Sequence, residues 1–164
     1  MLNEAYLGLG SNLGDAASNI RSGLETIRRH AVDMKVSSLY RTVPMGFGSQ
    51  PHFLNVVCRI RTRLSPFELL HATKAIEAGL SRRRTFPNAP RNLDIDVLLY
   101  GSRSIQTRIL TLPHPEMRKR PFVMVPLAEL APFLRHPTSG ETFSEIARRL
   151  DHGDGLVYRL RGQA

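Results

Sequence analysis

The chain has a single cysteine, Cys58, among 164 residues. No internal disulfide can form, which excludes a disulfide-stapled secreted scaffold and points to a reducing cytoplasm. No apolar run approaches the ~20 residues that a membrane-spanning helix needs. The opening MLNEAYLGLGSN has neither a basic leader nor an apolar stretch of signal-peptide type. No membrane partner is therefore expected. There is no internal repeat, low-complexity segment or linker, so residues 1–164 are expected to form one domain with a real core. No G-x-x-x-x-G-K-S/T loop occurs, which excludes a Walker-type phosphate cradle. Neither Cys58 nor any serine sits in a nucleophile motif, so no covalent enzyme intermediate is implied. Lysine is scarce too. Only Lys35, Lys74 and Lys119 contribute to the 23 basic residues, and the formal net charge is +9. Arginine supplies the rest, and its planar fork suits phosphate oxygens. A solvated arginine-rich surface, a nucleic acid and a polyphosphate ligand all fit that balance.

What is present alternates between strand and helix patterns. Glu4–Gly10 reads as a strand and SNLGD as a turn, and Ile20, Leu24 and Ile27 place a helix over about Asp15–Arg29. Met34–Pro44 has strand character, and Met45–Pro51 reads as a loop. Phe53–Leu64 alternates, with Leu54, Val56, Cys58 and Ile60 on one face and Arg59, Arg61 and Arg63 on a wet one. Ser65, Pro66 and Glu68 spell a helix start, and that helix should reach Ala78–Leu80. Ser81–Arg91 is a basic loop. After a short strand near Leu110, a helix is expected in VMVPLAELAP and a last one in FSEIARRL. Helices packed on a sheet follow from this order, an α+β sandwich.

The segment PRNLDIDVLLYG carries the chemistry. Leu93, Ile95, Val97 and Leu99 alternate with Asp94, Asp96, Leu98 and Tyr100, so both aspartates share one face with Cα atoms roughly 7 Å apart. Two like charges that close call for a cation. Mg²⁺ takes hard oxygens from one or two carboxylates plus phosphates, and Arg82, Arg83, Arg84 and Arg91 lie just upstream. Carboxylate pair and arginine loop together fit a metal–polyphosphate site. Taken alone, D-x-D favours an Asp–Arg ion-pair network on a sheet face.

PRNLDIDVLLYG resembles the signature of the hydroxymethyl-dihydropterin pyrophosphokinases. AYLGLGSNLGD, SSLYRTVPMG, QPHFLNVV and LTLPHPEMRKRPFVMVPLAELAP resemble further segments of that family, in order, from about Ala5 to Pro132. The resemblance implies a ferredoxin-like α/β sandwich with a mainly antiparallel sheet. It also implies transfer of pyrophosphate from ATP to 6-hydroxymethyl-7,8-dihydropterin, with release of AMP, in folate biosynthesis. On it, Asp94 and Asp96 hold two Mg²⁺ ions. Thr42, Val43, Met45, Phe53, Asn55 and Phe122 line the pterin site, and Arg82, Arg84, Arg91 and Arg120 meet the ATP phosphates. Thr111 and His114 lie close to those phosphates, with Leu70, Lys74 and Glu77 on the helix side. Arg82 and Arg91 join the two aspartates as the catalytic set. The partners are then ATP and the pterin, with no nucleic acid and no membrane, and a monomer is expected.

Four positions, in three places, depart from the family pattern. Asn88 and Ala89 stand where a tryptophan is common nearby, and the chain has none; Ile109 stands where an arginine is frequent, and Lys74 where a glutamine is. An RNA-binding domain using its arginines electrostatically, and another Mg²⁺-dependent phosphotransferase, remain as alternatives. The nucleotide product separates them: AMP, ADP, or no turnover.

Overall fold

The computed structural model describes residues 1–43, 52–80, 92–150 and 157–160. β1 (Asn3–Ser11) and β4 (Phe53–Thr62) form the centre of an antiparallel sheet, paired from Asn3↔Thr62 to Ser11↔Leu54. β5 (Asp94–Tyr100) flanks β1. β2 (Asp33–Val36) and β3 (Tyr40–Thr42) both pair with the far side of β4, and β8 (Val157–Arg159) adds to β3. The helices α1 (Ala16–Arg28) and α2 (Pro66–Leu80) connect these strands in a βαββαβ order. The strand order β5–β1–β4–β3 is that of a ferredoxin-like α+β fold.

Both faces of the sheet are covered. α1 and α2 close one core around Leu7, Leu9, Ile27, Leu69 and Ile95. α3 (Pro121–Leu130) and α4 (Phe143–Leu150) close a second around Tyr6, Val57, Leu98 and Leu127. Phe143 is wholly buried and meets Tyr6 edge-on at 6.4 Å, fixing α4 against β1. Cys58 is buried in the first core, where desolvation pushes its thiol up to about 12. The start of α2 follows the sequence: Ser65 N–H donates to Glu68 at 2.7 Å and Glu68 N–H to Ser65 Oγ at 3.3 Å.

The structure corrects several sequence expectations. The strand over Met34–Pro44 is two strands, because Val36↔Cys58 and Tyr40↔Asn55 leave one extra residue on the outer side. Ser37 fills the break: its N–H donates to Val57 O, and its Oγ accepts from Val57 N–H. The wet face of β4 is wet only around Arg59 and Arg61, since Asn55 and Val57 lie under the second layer. The period-two pattern of β5 holds for Leu93–Val97 and then reverses. Tyr6 pairs Leu99 while Leu7 pairs Val97, so Leu98 is an inserted residue. Leu99 therefore enters the second core and Tyr100 the first. Helix α3 starts at Pro121, two residues before VMVPLAELAP, with proline in the first turn. A short hairpin of β6 (Ile105–Gln106) and β7 (Thr111–Leu112), and a 3₁₀ turn at Met117–Lys119, precede it.

Candidate active site

The aspartates of β5 face glycines. Asp94 pairs with Gly10 and Asp96 with Gly8 across β1. The missing side chains leave a hollow over the carboxylate face, and a cavity of about 300 Å³ opens there. Asn55 and Thr42 line its polar side, both buried, with Asn55 Nδ2 donating to Thr42 Oγ1 at 2.7 Å. That leaves the Asn55 carbonyl as acceptor and the Thr42 hydroxyl as donor toward the cavity. Phe53 and Phe122, both half-buried, supply its aromatic walls. Asp94, Asp96, Thr42, Asn55, Phe53 and Phe122 are thus brought together from β3, β4, β5 and α3. Val43 follows β3 half-buried and is not among the residues lining this cavity.

The cation called for by the aspartate pair includes a residue far away in sequence. Arg120, just before α3, sets Nη1 3.6 Å from Asp96 Oδ2. Its guanidinium carbon also lies 5.7 Å from the centre of the Phe122 ring. Arg120 therefore joins the carboxylate pair to the aromatic wall.

A second cavity of about 240 Å³ lies around the open edge of β5. Leu70 and Lys74 from α2, Thr111 from β7, and His114 line it, together with Asp96. Asp96 is a wall of both cavities. Leu98, the inserted residue of β5, turns its carbonyl outward to accept the His114 N–H at 2.9 Å. The His114 Nδ1 accepts from Glu116 N–H at 3.2 Å, which puts the ring proton of the neutral form on Nε2. Burial lowers the His114 pKa, with Arg120 acting the same way and Asp96 and Glu116 opposing. Glu77 lies behind this cavity, 3% exposed.

Met45, Arg82, Arg84 and Arg91 lie outside the described residues, as do Arg83, Asn88 and Ala89. Sequence patterns do not single out Gly8, Gly10 or Arg108, the last of which lines the second cavity. Gly-Leu-Gly inside a strand is the available signal, since glycine there marks a close approach.

Among the described residues no three His, Cys, Asp or Glu side chains gather as a metal cage. Two carboxylates at a cavity mouth fit instead a hard ion completing its shell from phosphate and water. Residues 6–132 match the family model of 7,8-dihydro-6-hydroxymethylpterin-pyrophosphokinase (HPPK).

The chain belongs to the HPPK family.

It is 43% identical over 151 residues to the 2-amino-4-hydroxy-6-hydroxymethyldihydropteridine pyrophosphokinase of Bacillus subtilis (strain 168), covering 90% of each chain. It is 39% identical over 150 residues to the folic acid synthesis protein fol1 of Schizosaccharomyces pombe, covering 89% of this chain and 20% of that one. The HPPK-DHPS of Plasmodium falciparum shares the fold, with a TM-score of 0.74 at 15% identity over 91% of this chain and 44% of that one. The HPPK relationship spans β1 through α3, so both cavities lie within the matched residues.

Proposed function

We propose that this chain carries out its family's reaction through the two cavities that meet at Asp96. The enzyme is a transferase of folate biosynthesis, moving pyrophosphate from ATP to 6-hydroxymethyl-7,8-dihydropterin and releasing AMP. The shared carboxylate wall is the observation that supports the assignment, because a bisubstrate transfer needs two pockets converging on one metal-binding group.

The pterin occupies the cavity of Phe53 and Phe122, whose rings suit stacking on a flat bicycle. Asn55 and Thr42 read its edge with one acceptor and one donor, and the family resemblance adds Val43 and Met45 to the residues that bind it. The hydroxymethyl group points at the aspartates. ATP occupies the second cavity, with Leu70 and Thr111 at its wall. Lys74 and the His114 Nε2–H meet phosphate oxygens, and Arg120, Arg82, Arg84 and Arg91 neutralise the remaining charge. The pterin hydroxyl oxygen bonds to the β-phosphorus and gives up its proton to water, while the bond from that phosphorus to the α,β-bridging oxygen breaks and AMP leaves with that oxygen. Asp94 and Asp96 would hold two Mg²⁺ ions, which when bound supply Lewis acidity and a template for the polyphosphate. The carboxylates' own task is to keep that charge at the junction of the cavities.

One main sheet covered by two cores supports a single domain, and that it acts as a monomer is checked by light scattering. No helix among the described residues is long and apolar enough to cross a membrane. The lone buried thiol suits a reducing cytoplasm.

The test is incubation with ATP, Mg²⁺ and the reduced pterin, followed by identification of the nucleotide. AMP with pterin diphosphate is expected. ADP, or no turnover with salt-sensitive RNA affinity, would overturn the reading. Asp94→Ala and Asp96→Ala should each lower kcat by at least about 10³-fold with the fold intact. Near-normal turnover of either in saturating Mg²⁺ would remove it from the metal site.

A further inference from the structure

β5 is an outer strand, with β1 as its only strand neighbour among the described residues. Its outward backbone groups need partners from elsewhere. Two backbone groups of β5 are met by groups outside the main sheet, and Asn92 beside the strand is anchored as well. Asn92, just before β5, donates from Nδ2 to Leu80 O at 3.1 Å, and its carbonyl accepts from Ser11 Oγ and Asn19 Nδ2. The Leu98 carbonyl accepts from His114 N–H. Between them, the Ile95 N–H donates to Glu77 Oε1 at 2.7 Å. Ile95 is the residue between the two aspartates.

Glu77 is an unusual choice for that task. A carboxylate 3% exposed is costly to bury. Its other oxygen, Oε2, lies 3.3 Å from Lys74 Nζ, one turn earlier on α2. Lys74 is half-exposed and lines the second cavity. One buried carboxylate thus touches the strand that carries the aspartates and the cation that faces the second cavity. A charged acceptor also holds an N–H more tightly than a neutral one does.

We infer that Glu77 is a positioning residue: it pins β5 between Asp94 and Asp96 through the Ile95 amide and holds Lys74 over the second cavity. It acts on the nucleotide through these two groups and not as a direct ligand. The inference rests on the proposed transfer reaction for its kinetic consequences, while the pinning of β5 stands without it.

Two variants separate the roles. Glu77→Gln keeps an acceptor for Ile95 and loses the charge that holds Lys74. Glu77→Met fills similar volume with no comparable acceptor. Amide exchange is read by NMR at Ile95, with Leu7 and Val57 in the sheet centre as internal controls. The Ile95 amide should exchange at least about tenfold faster in Glu77→Met and stay protected in Glu77→Gln, with the controls unchanged in both. Kinetically, Glu77→Gln should raise the KM for ATP about as much as Lys74→Ala does, a few-fold, and keep at least about a third of kcat. Glu77→Met should add a loss of kcat of about 30-fold or more. Equal kinetic damage in both variants with Ile95 protected in both would make Glu77 a direct nucleotide ligand and overturn the inference. Unchanged exchange and turnover in Glu77→Met would overturn it as well. If the unsubstituted protein fails to turn over the pterin, the exchange arm still decides the pinning.

Discussion

A Cβ built on Gly10 would sit 2.9 Å from Asn55 Oδ1, closer than real side chains allow. The Asn55 amide cannot swing away freely, because its Nδ2 is tied to Thr42. On Gly8 the nearest atom is Leu98 Cδ1 at 3.4 Å, an ordinary contact that a flexible leucine accommodates. Gly10→Ala should therefore weaken pterin binding about tenfold or more, by calorimetry, because a displaced carboxamide leaves a polar edge unpaired. Gly8→Ala should change the same affinity by less than about threefold. Equal losses would mean that the hollow, and not Asn55, sets recognition. At this scale the aspartate pair is legible in the sequence, because two like charges at period two inside an apolar strand demand a compensating cation. Gly8 and Gly10 acquire their roles only by register, and the link of Arg120 to Asp96 comes only from a long-range contact, although the family resemblance names Arg120 for the phosphates. Their distance to the aspartates is a property of strand pairing and of where α3 begins.

Helix α3 carries Phe122 in its first turn and Arg120 at its cap, so its seating sets one wall of the candidate pterin pocket. Near its other end Glu129 accepts from Tyr40 Oη at 2.6 Å, from Ser38 Oγ at 2.7 Å and from Ser38 N–H at 3.0 Å. Arg159 on β8 adds a cation at 3.6 Å. Burial works to raise the Glu129 pKa, but the hydrogen bonds from Tyr40 and Ser38 and the Arg159 charge outweigh it and hold it below the ordinary value. Glu129→Ala strips partners from a buried tyrosine and from the break between β2 and β3. We expect a loss of about 2 kcal/mol in denaturant melts. Weaker pterin binding should accompany it as α3 loosens. Glu129→Gln should keep part of both. The break that Glu129 clasps is not legible in the sequence, since VSSLY alternates acceptably as a strand. The Leu98 insertion is hidden for the same reason: in DVLLY every residue after the aspartate is apolar, so either face can be core. β8 follows from no pattern, because three residues of an edge strand carry too little periodicity. Long central strands and capped helices, by contrast, announce themselves through alternation and the Ser65–Glu68 box.

The same two-layer burial gives the molecule a distinct response to acid. His136 is 4% exposed, in the turn between α3 and α4. Its Nδ1 accepts from Thr138 N–H at 3.2 Å and Ser139 N–H at 3.3 Å, an arrangement that only the unprotonated nitrogen can make. Burial lowers its pKa, Arg118 lowers it further, and Glu141 opposes. His114 shifts the same way, chiefly by burial. A histidine with a depressed folded pKa binds fewer protons folded than unfolded. Its contribution to stability is complete above the unfolded value near 6.5 and is lost as the pH falls below it. Glu129 behaves differently: its depressed carboxyl keeps its contribution until the pH falls below the ordinary glutamate value, and loses it through the lower folded one. Two acid steps are therefore expected, histidines first and carboxylates later. Protonation also adds positive charge to a chain already at +9, which deepens the first step. Urea midpoints measured from pH 8 to pH 5 should fall, with most of the change beginning near 6.5. His136→Asn retains a side-chain acceptor for the Thr138 and Ser139 amides and cannot titrate. It should cost some stability at pH 8 but flatten the fall between pH 7 and pH 5. An unaltered slope in that variant would remove His136 as a source of the acid response and leave it to His114 and the net charge.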